Sequence, residues 1–448
     1  MFHVKLGDPD SRALFHVEQH QLSLLLHRNI RSSCETIAPL FVAACSRPSR
    51  LISFARYSAL LGQPALRSAI AASVLGRLPI GIAGLAILIL AQSSTGSFAY
   101  GGMVAACYVA GLAAVAPLFG RLIDRYGPRS TLLACALLFP SVLAALVAAL
   151  TFIAPLWVAF ALAAAAGAFF PPITVCMRTF FKRRLKDDLL LAAAYSLESV
   201  VIELIFILGP VLVALFVALA SPAAAVLFAA ACGGAGTLLF QRSRALIDWP
   251  IEPRGEASLF GPLVEPGFAP LLVVIVCYST AFGLVEIGTT AYAAETVEPA
   301  LAGILLGIMS VGSATGGLVY GSRSWRLPLA RQFSLTLTVM GLGVAPLALL
   351  SLLQFPVWAV GLWCIAAGIV MAPALIMQAM LVAKIARAAH STEAFTWSST
   401  SLLAGVGLGL TGGGMLLEHA RSPAVFAAAA ALSLAAGALS LRLVKPGN

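Results

Sequence analysis

The sequence predicts an all-α membrane protein, with twelve transmembrane helices in two pseudo-symmetric six-helix bundles. Three observations carry this expectation. Of 448 residues, 60% are apolar and only 10% charged, with a mean hydropathy of +0.97. An average soluble domain has about 25% charged residues, so a water-exposed surface could not be covered, and disorder is excluded by the same apolar excess. Apolar runs of bilayer length recur twelve times, and positive charge alternates strictly between the loops that join them.

In chain order, residues 1–65 come first as an N-terminal extension. They are mixed in character, with no long apolar run and no signal-peptide pattern. Phe2-His3-Val4-Lys5 and Phe15-His16-Val17-Glu18 echo each other. Both tetrapeptides can be encoded by reverse-palindromic DNA that resembles bacterial chromosome-partition sites. The expectation is a translated intergenic stretch, with the true start at a Val or Leu codon near Val42 or Leu51. No function is assigned to this segment.

A helix crosses the hydrocarbon core in about 20 apolar residues. Spans are expected at 68–91, 98–119, 131–151, 154–177, 190–218 and 223–240, forming a first bundle over 66–240. A linker follows over 241–267. A second bundle over 268–448 holds spans at 268–291, 300–320, 333–353, 356–380, 395–416 and 423–441. Strand-like alternation is absent, which excludes a transmembrane barrel.

Loop charge supports the count. The loops after even-numbered spans carry Arg121, Arg125 and Arg129; Arg178, Lys182, Arg183, Arg184 and Lys186; Arg242, Arg244 and Arg254; Arg323, Arg326 and Arg331; and Lys384 and Arg387. The loops after odd-numbered spans carry only Arg421. This is the positive-inside pattern, and it puts both termini in the cytoplasm. The net charge of +10 is therefore an orientation signal, and no nucleic-acid partner is expected. The eight cysteines form no C-x-x-C pair and read as small apolar residues; no metal site and no cofactor is expected.

The halves echo each other at an offset of 201. Pro155, Trp157, Ala165, Ala166, Gly167 and Pro172 match Pro356, Trp358, Ala366, Ala367, Gly368 and Pro373. Gly102, Gly111, Ala113 and Gly120 match Gly303, Gly312, Ala314 and Gly321. Duplication follows, and parallel six-helix halves of this kind rock about a midplane cavity.

Between spans 2 and 3 lies Gly120-Arg121-Leu122-Ile123-Asp124-Arg125-Tyr126-Gly127-Pro128-Arg129. It resembles the loop signature of the major facilitator superfamily, G-x-L-x-D-R-x-G-x-R/K, in both sequence and position. The resemblance covers roughly 68–445, and the second-half copy, Gly321 to Arg326, is degenerate. Efflux-type members are further resembled at Arg77-Leu78-Pro79 and at Glu393-Ala394-Phe395-Thr396-Trp397. Two features depart from drug/proton exporters: span 4 has no arginine before Arg178, and only Gly209-Pro210 remains of the span 5 glycine series. The resemblance implies a latch at Gly120, Asp124, Arg125, Gly127 and Arg129 that holds the outward-facing state. In physical terms, Gly120 allows close helix approach and Gly127 a positive-φ turn. Asp124 can pair with Arg125 or Arg129, or face a helix N-terminus in the other half.

Ionisable groups at membrane depth are costly and usually functional. Four stand out: Arg77 in span 1, Glu198 and Glu203 in span 5, and Glu286 toward the outer side of span 7. Arg77 and Glu198 lie at similar depth, which predicts a pair, with Glu203 competing. Five positions turn a helix by about 140°, so the two glutamates cannot both face one partner. The set is expected either to couple proton movement and line the cavity or to be a static buried ion pair. Pro79, Pro172, Gly209, Pro210 and Pro373 are candidate flex points within spans.

The outer loops are too short for a catalytic platform, and neither a Walker A sequence nor H-E-x-x-H occurs. The expected function is a secondary transporter exporting a small organic solute, with protons as the candidate coupling ion and membrane lipid as its surroundings. It is expected to act as a monomer in the bacterial cytoplasmic (inner) membrane. A scaffold or sensor that kept the fold and lost transport is the competing class.

Overall fold

A computed structural model describes residues 55–152, 155–243, 246, 249, 261–296 and 301–443, the side chains of 98, 99 and 296 apart. The paired Phe-His-Val segments and the displaced start lie outside the described residues, as does most of the linker. Among the described residues every regular element is a helix. Twelve helical stretches are long and apolar enough to cross a membrane. Nine are single helices. Span 1 is two helices, Pro64–Arg77 and Pro79–Thr95; span 4 is Leu156–Ala168 and Ile173–Arg184; span 10 is Val357–Gly368 and Met371–Ile385.

Proline chemistry explains the breaks. Pro79 has no N–H to offer the Leu75 carbonyl, four residues back. The Leu78 N–H takes that acceptor instead, at 3.3 Å, and the helix restarts with Pro79 in its first turn. Pro171 and Pro172 interrupt span 4 in the same manner, and the Ile173 N–H turns back to the Pro171 carbonyl at 2.8 Å. In span 10 the break falls at Ile369–Val370, and Pro373 is the third residue of the new helix. Pro210, by contrast, sits inside the unbroken helix Asp188–Leu219 of span 5. Starts are fixed by side-chain caps, as where Asp187 accepts from the Leu189 N–H at 3.0 Å and Ser221 from the Ala224 N–H at 3.2 Å.

The helices outlast the apolar runs, which corrects several expected boundaries. Span 2 (Phe98–Tyr126) carries Arg121, Asp124 and Arg125 as helical residues, and only Gly127 leaves the helix, at φ 83°. Span 4 continues through Arg178 to Arg184, and span 11 begins at Ser391 rather than 395. A helix needs apolar residues only where it meets hydrocarbon, so polar turns beyond it leave no hydropathy signal. The extension expected over 1–65 also ends sooner: Ala55–Leu61 is a short helix and span 1 starts at Pro64.

The internal repeat reappears as packing. In the first half a Cβ on Gly111 would strike the Ala164 carbonyl, and one on Gly167 the Tyr108 carbonyl. In the second half Gly312 meets the Ile365 carbonyl and Gly368 the Met309 carbonyl. All four positions of this span 2–span 4 crossing recur 201 residues later, in spans 8 and 10, with the two glycines kept and Tyr108 and Ala164 replaced by Met309 and Ile365. Spans 1 and 5 cross at Gly81 and Gly209, and spans 7 and 11 (Phe268–Thr296 and Ser391–Leu417) at Gly283 and Gly409. Small residues let backbones touch where lipid supplies no hydrophobic drive between helices.

Candidate functional site

The loops after even-numbered spans share one face, called the basic face here. Most of the described hydrogen bonds and ion pairs that cross between halves lie on that side; Ser313 to Glu203 and Thr400 to the Ala113 carbonyl cross nearer the middle of their spans. At its centre Asp124, 3% exposed, ends span 2 against the start of span 11. Its Oδ1 accepts from the Thr392 N–H at 3.1 Å and its Oδ2 from the Glu393 N–H at 2.8 Å. A carboxylate thus fills the donors that a helix N-terminus leaves open, where the dipole favours negative charge. Arg183 of span 4 adds its Nη2 at 3.6 Å from Oδ1.

Glu393 reciprocates from the other half. Its Oε1 accepts from the Arg121 Nη2 at 2.7 Å and from the Arg121 Nε at 3.2 Å. Gly120 permits this approach, since a Cβ there would lie 2.7 Å from the Glu393 Cα and collide with the Thr396 hydroxyl. Gly261, at φ 48°, brings the linker's end against the Glu393 carboxylate, which a Cβ would meet at 2.7 Å. Further crossings join Lys182 to the Ala386 carbonyl at 2.7 Å and Lys384 to Asp188 at 2.7 Å. Of the other motif residues, Arg125 stacks over the Tyr126 ring at 5.0 Å, and the Arg129 carbonyl accepts from Gln241 at 2.7 Å. Asp124 therefore takes the helix N-terminus, and neither Arg125 nor Arg129 is its partner.

The leading helix Ala55–Leu61 adds a strap. The Tyr57 hydroxyl reaches the Ser196 hydroxyl of span 5 at 2.9 Å and donates to the Leu318 carbonyl of span 8 at 3.0 Å. Ser196 in turn donates to the Gly317 carbonyl at 2.6 Å.

Deeper in the first half, Glu198 is shared unequally. Arg178 Nε donates to its Oε1 at 3.0 Å, whereas Arg77 Nη2 stands 3.9 Å from the same oxygen. The predicted Arg77–Glu198 pairing is thus the longer arm of a buried triad, and Arg178 was missed because the apolar run of span 4 stops just before it. Arg77 Nε, Arg77 Nη2 and Glu198 Oε2 are buried without hydrogen-bond partners. The second half builds the matching junction without charge. Tyr278 of span 7 donates to the Gln378 side-chain carbonyl of span 10, and Gln378 donates to the Ser398 hydroxyl of span 11 at 2.6 Å. These three residues lie 201, 200 and 200 positions after Arg77, Arg178 and Glu198.

Glu203 does not compete for Arg77. It points across to the second half, where its Oε1 accepts from the Ser313 hydroxyl of span 8 (Leu301–Ser322) at 2.6 Å. Glu286 is exposed on span 7, 18 residues beyond the helix start at Phe268, and joins none of these clusters. Among the described residues no group of His, Cys, Asp or Glu could hold a metal ion.

The comparisons agree with this geometry. The family model described as Major Facilitator Superfamily matches residues 69–392. The chain belongs to the major facilitator superfamily. No curated protein sequence matches it. Among solved structures it is similar to the human organic anion transporter MFSD10 (TETRAN), with TM-score 0.65 and 17% identity, covering 84% of this chain and 100% of that one. It is also similar to a bacterial homologue of the iron transporter ferroportin in an outward-facing state (TM-score 0.69, 14% identity, 85% and 99% covered). A third is the E. coli fucose:proton symporter FucP (TM-score 0.64, 13% identity, 84% and 99% covered). At these identities the likeness establishes the shared fold. Membership of the superfamily makes this chain a multi-pass membrane transporter, not an enzyme.

Proposed function

We propose that this superfamily member exports a small organic solute by alternating access, with protons as the coupling ion. In this reading the basic face is cytoplasmic, both termini lie inside a bacterial inner membrane, and the conformation is outward-facing. The halves then rock about the midplane, opening and closing the Asp124 clamp, with the breaks at Pro79, Pro172 and Pro373 and the crossing at Gly209 and Pro210 as flex points. The observation that carries coupling is the Glu203–Ser313 bond across the halves. A hydrogen bond to a carboxylate is about twice as strong as one to a neutral group. Protonation of Glu203 from the outer side weakens that contact and favours opening of the basic face. The proton is released inside, and the solute makes the return stroke outward. Glu286, on the outer part of span 7, is the candidate carboxylate for the solute's path.

The test is flux into proteoliposomes under an imposed pH gradient, across a panel of organic cations, anions and neutral solutes. The expected result is gradient-driven flux that Glu203→Gln uncouples from pH. Flux with unchanged pH dependence in Glu203→Gln would overturn the coupling, and absence of flux for the whole panel would overturn transport of such solutes.

A further inference from the structure

The gate at the basic face has two flanks, which the internal repeat relates. On one, span 2 meets span 11; on the other, span 8 meets span 5. Gly120 and Gly321 lie 201 positions apart, and Thr396 and Ser196, which face them, lie 200 apart. The tight fit is common to both flanks. A Cβ on Gly120 would lie 2.4 Å from the Thr396 hydroxyl, and one on Gly321 would lie 2.7 Å from the Ser196 hydroxyl. The ion pairs are confined to the first flank. Ser322, Trp325 and Ala193 stand where Arg121, Asp124 and Glu393 do there, and span 8 holds no charged residue. Trp325 serves its own half instead: it stacks on Tyr320 and gives its indole N–H to the Tyr320 carbonyl at 3.1 Å.

The leading helix Ala55–Leu61 fills that second flank. Its buried side is Tyr57 and Leu60, 7% and 1% exposed. The Tyr57 hydroxyl lies 2.9 Å from the Ser196 hydroxyl and donates to the Leu318 carbonyl at 3.0 Å, and Arg56 Nη1 donates to the Gly321 carbonyl at 3.4 Å. Gly321 is in the last turn of span 8, where carbonyls lack helical partners and the dipole favours a cation. Arg56 therefore does for the end of span 8 what Asp124 does for the start of span 11. The placement is repeated as well. The turn Gly261–Val264, 201 positions after residues 60–63, sets Gly261 against Glu393 on the other flank. Each half lays the segment before its first span over the flank where its fifth span meets the other half.

We infer that the helix Ala55–Leu61 is the second latch of this gate: through Tyr57 and Arg56 it holds span 8 against span 5, in place of the ion pairs that this flank lacks. The inference rests on the reading that the halves part at the basic face. Gly62 and Gln63 tie the helix to span 1 of the first half. On parting, it stays with Ser196 and releases the two span 8 carbonyls. One flank is then held by charge, and the other by hydrogen bonds from a segment outside the twelve spans.

The experiment is a spin-label distance measurement between Lys186, before span 5, and Ser324, after span 8, in a full-length chain whose native cysteines are replaced. Both positions are exposed. Arg56→Ala combined with Tyr57→Phe removes the two bonds to span 8 and leaves Leu60 packed. The ratio of open to closed forms should rise roughly 5- to 30-fold, seen as a longer-distance population. A chain lacking residues 2–62 should open at least as often, and one lacking 2–50, which keeps the helix, should match the full chain. A lowered thermal midpoint with a single short distance would mark a merely structural helix and overturn the inference. So would equal opening in the chains lacking 2–50 and 2–62. The two readings fail differently. If the halves do not part at this face, Asp124→Asn also keeps the single short distance; if only the latch is wrong, Asp124→Asn opens and these variants do not.

Discussion

Asp124→Asn removes one charge from the basic face and almost no volume. Asp124 uses both oxygens on the start of span 11, at 3.1 and 2.8 Å. Asparagine keeps one acceptor, so one of the two N–H groups is left buried without a partner, a cost of about 1–3 kcal/mol. Loss of negative charge at the helix N-terminus costs about 0.3–1 kcal/mol, and up to about 2 where partly buried. Arg183, 3.6 Å away, loses its counter-charge as well. The sum is about 2–4 kcal/mol against the closed arrangement, or roughly 30- to 700-fold in the ratio of closed to open forms. The assay is a spin-label distance measurement between exposed Lys186, after span 4, and exposed Ser324, after span 8, in a chain whose native cysteines are replaced. The unaltered chain should give one short distance, and Asp124→Asn should add a longer population. An identical distance distribution in the two proteins would refute the argument that this carboxylate holds the halves together.

Other outcomes follow from the same contacts. Tyr57→Phe deletes hydrogen bonds to Ser196 and to the Leu318 carbonyl, and should cost about 1 kcal/mol of closed form, read as a long-distance population in the same labelled pair that is larger than in the unaltered chain and smaller than in Asp124→Asn. Gly409→Ala places a methyl 2.9 Å from the Gly283 Cα and into the Thr280 carbonyl. Overpacking of this kind costs about 1–3 kcal/mol, and the thermal midpoint should fall accordingly. Gly407→Ala, with nothing within 4 Å of its added Cβ, lies inside the same helix and should hold or slightly raise the midpoint, since Ala is the better helix former, which separates packing from helix propensity.

The spans and the fold were legible in the sequence because lipid imposes length and apolarity on each crossing helix. The repeat was legible too, since the glycines and carbonyls of the span 2–span 4 crossing recur at the offset read from the sequence. The helix ends were not, because polar turns beyond the hydrocarbon look like loops; Arg178 was passed over for that reason. Extending the same offset from Arg77 would have found Tyr278, and one position less would have found Gln378 and Ser398 from Arg178 and Glu198. Glu203's partner had no such signal. Which residue of span 8 faces it depends on how the halves dock, and hydropathy carries no information about that register. The leading helix escaped notice because seven residues around Tyr57 are too short to register as a periodic pattern.

The central claim is that the two halves must part at the basic face for solute to pass. Lys384 and Asp188 meet across that face at 2.7 Å and are both exposed. Changing both to cysteine in a cysteine-free chain, and joining them with a short reducible thiol cross-linker, locks the face shut. Proteoliposome flux of a solute found to move should stop on cross-linking and return on reduction. Flux that continues at full rate through the cross-linked protein would contradict the account.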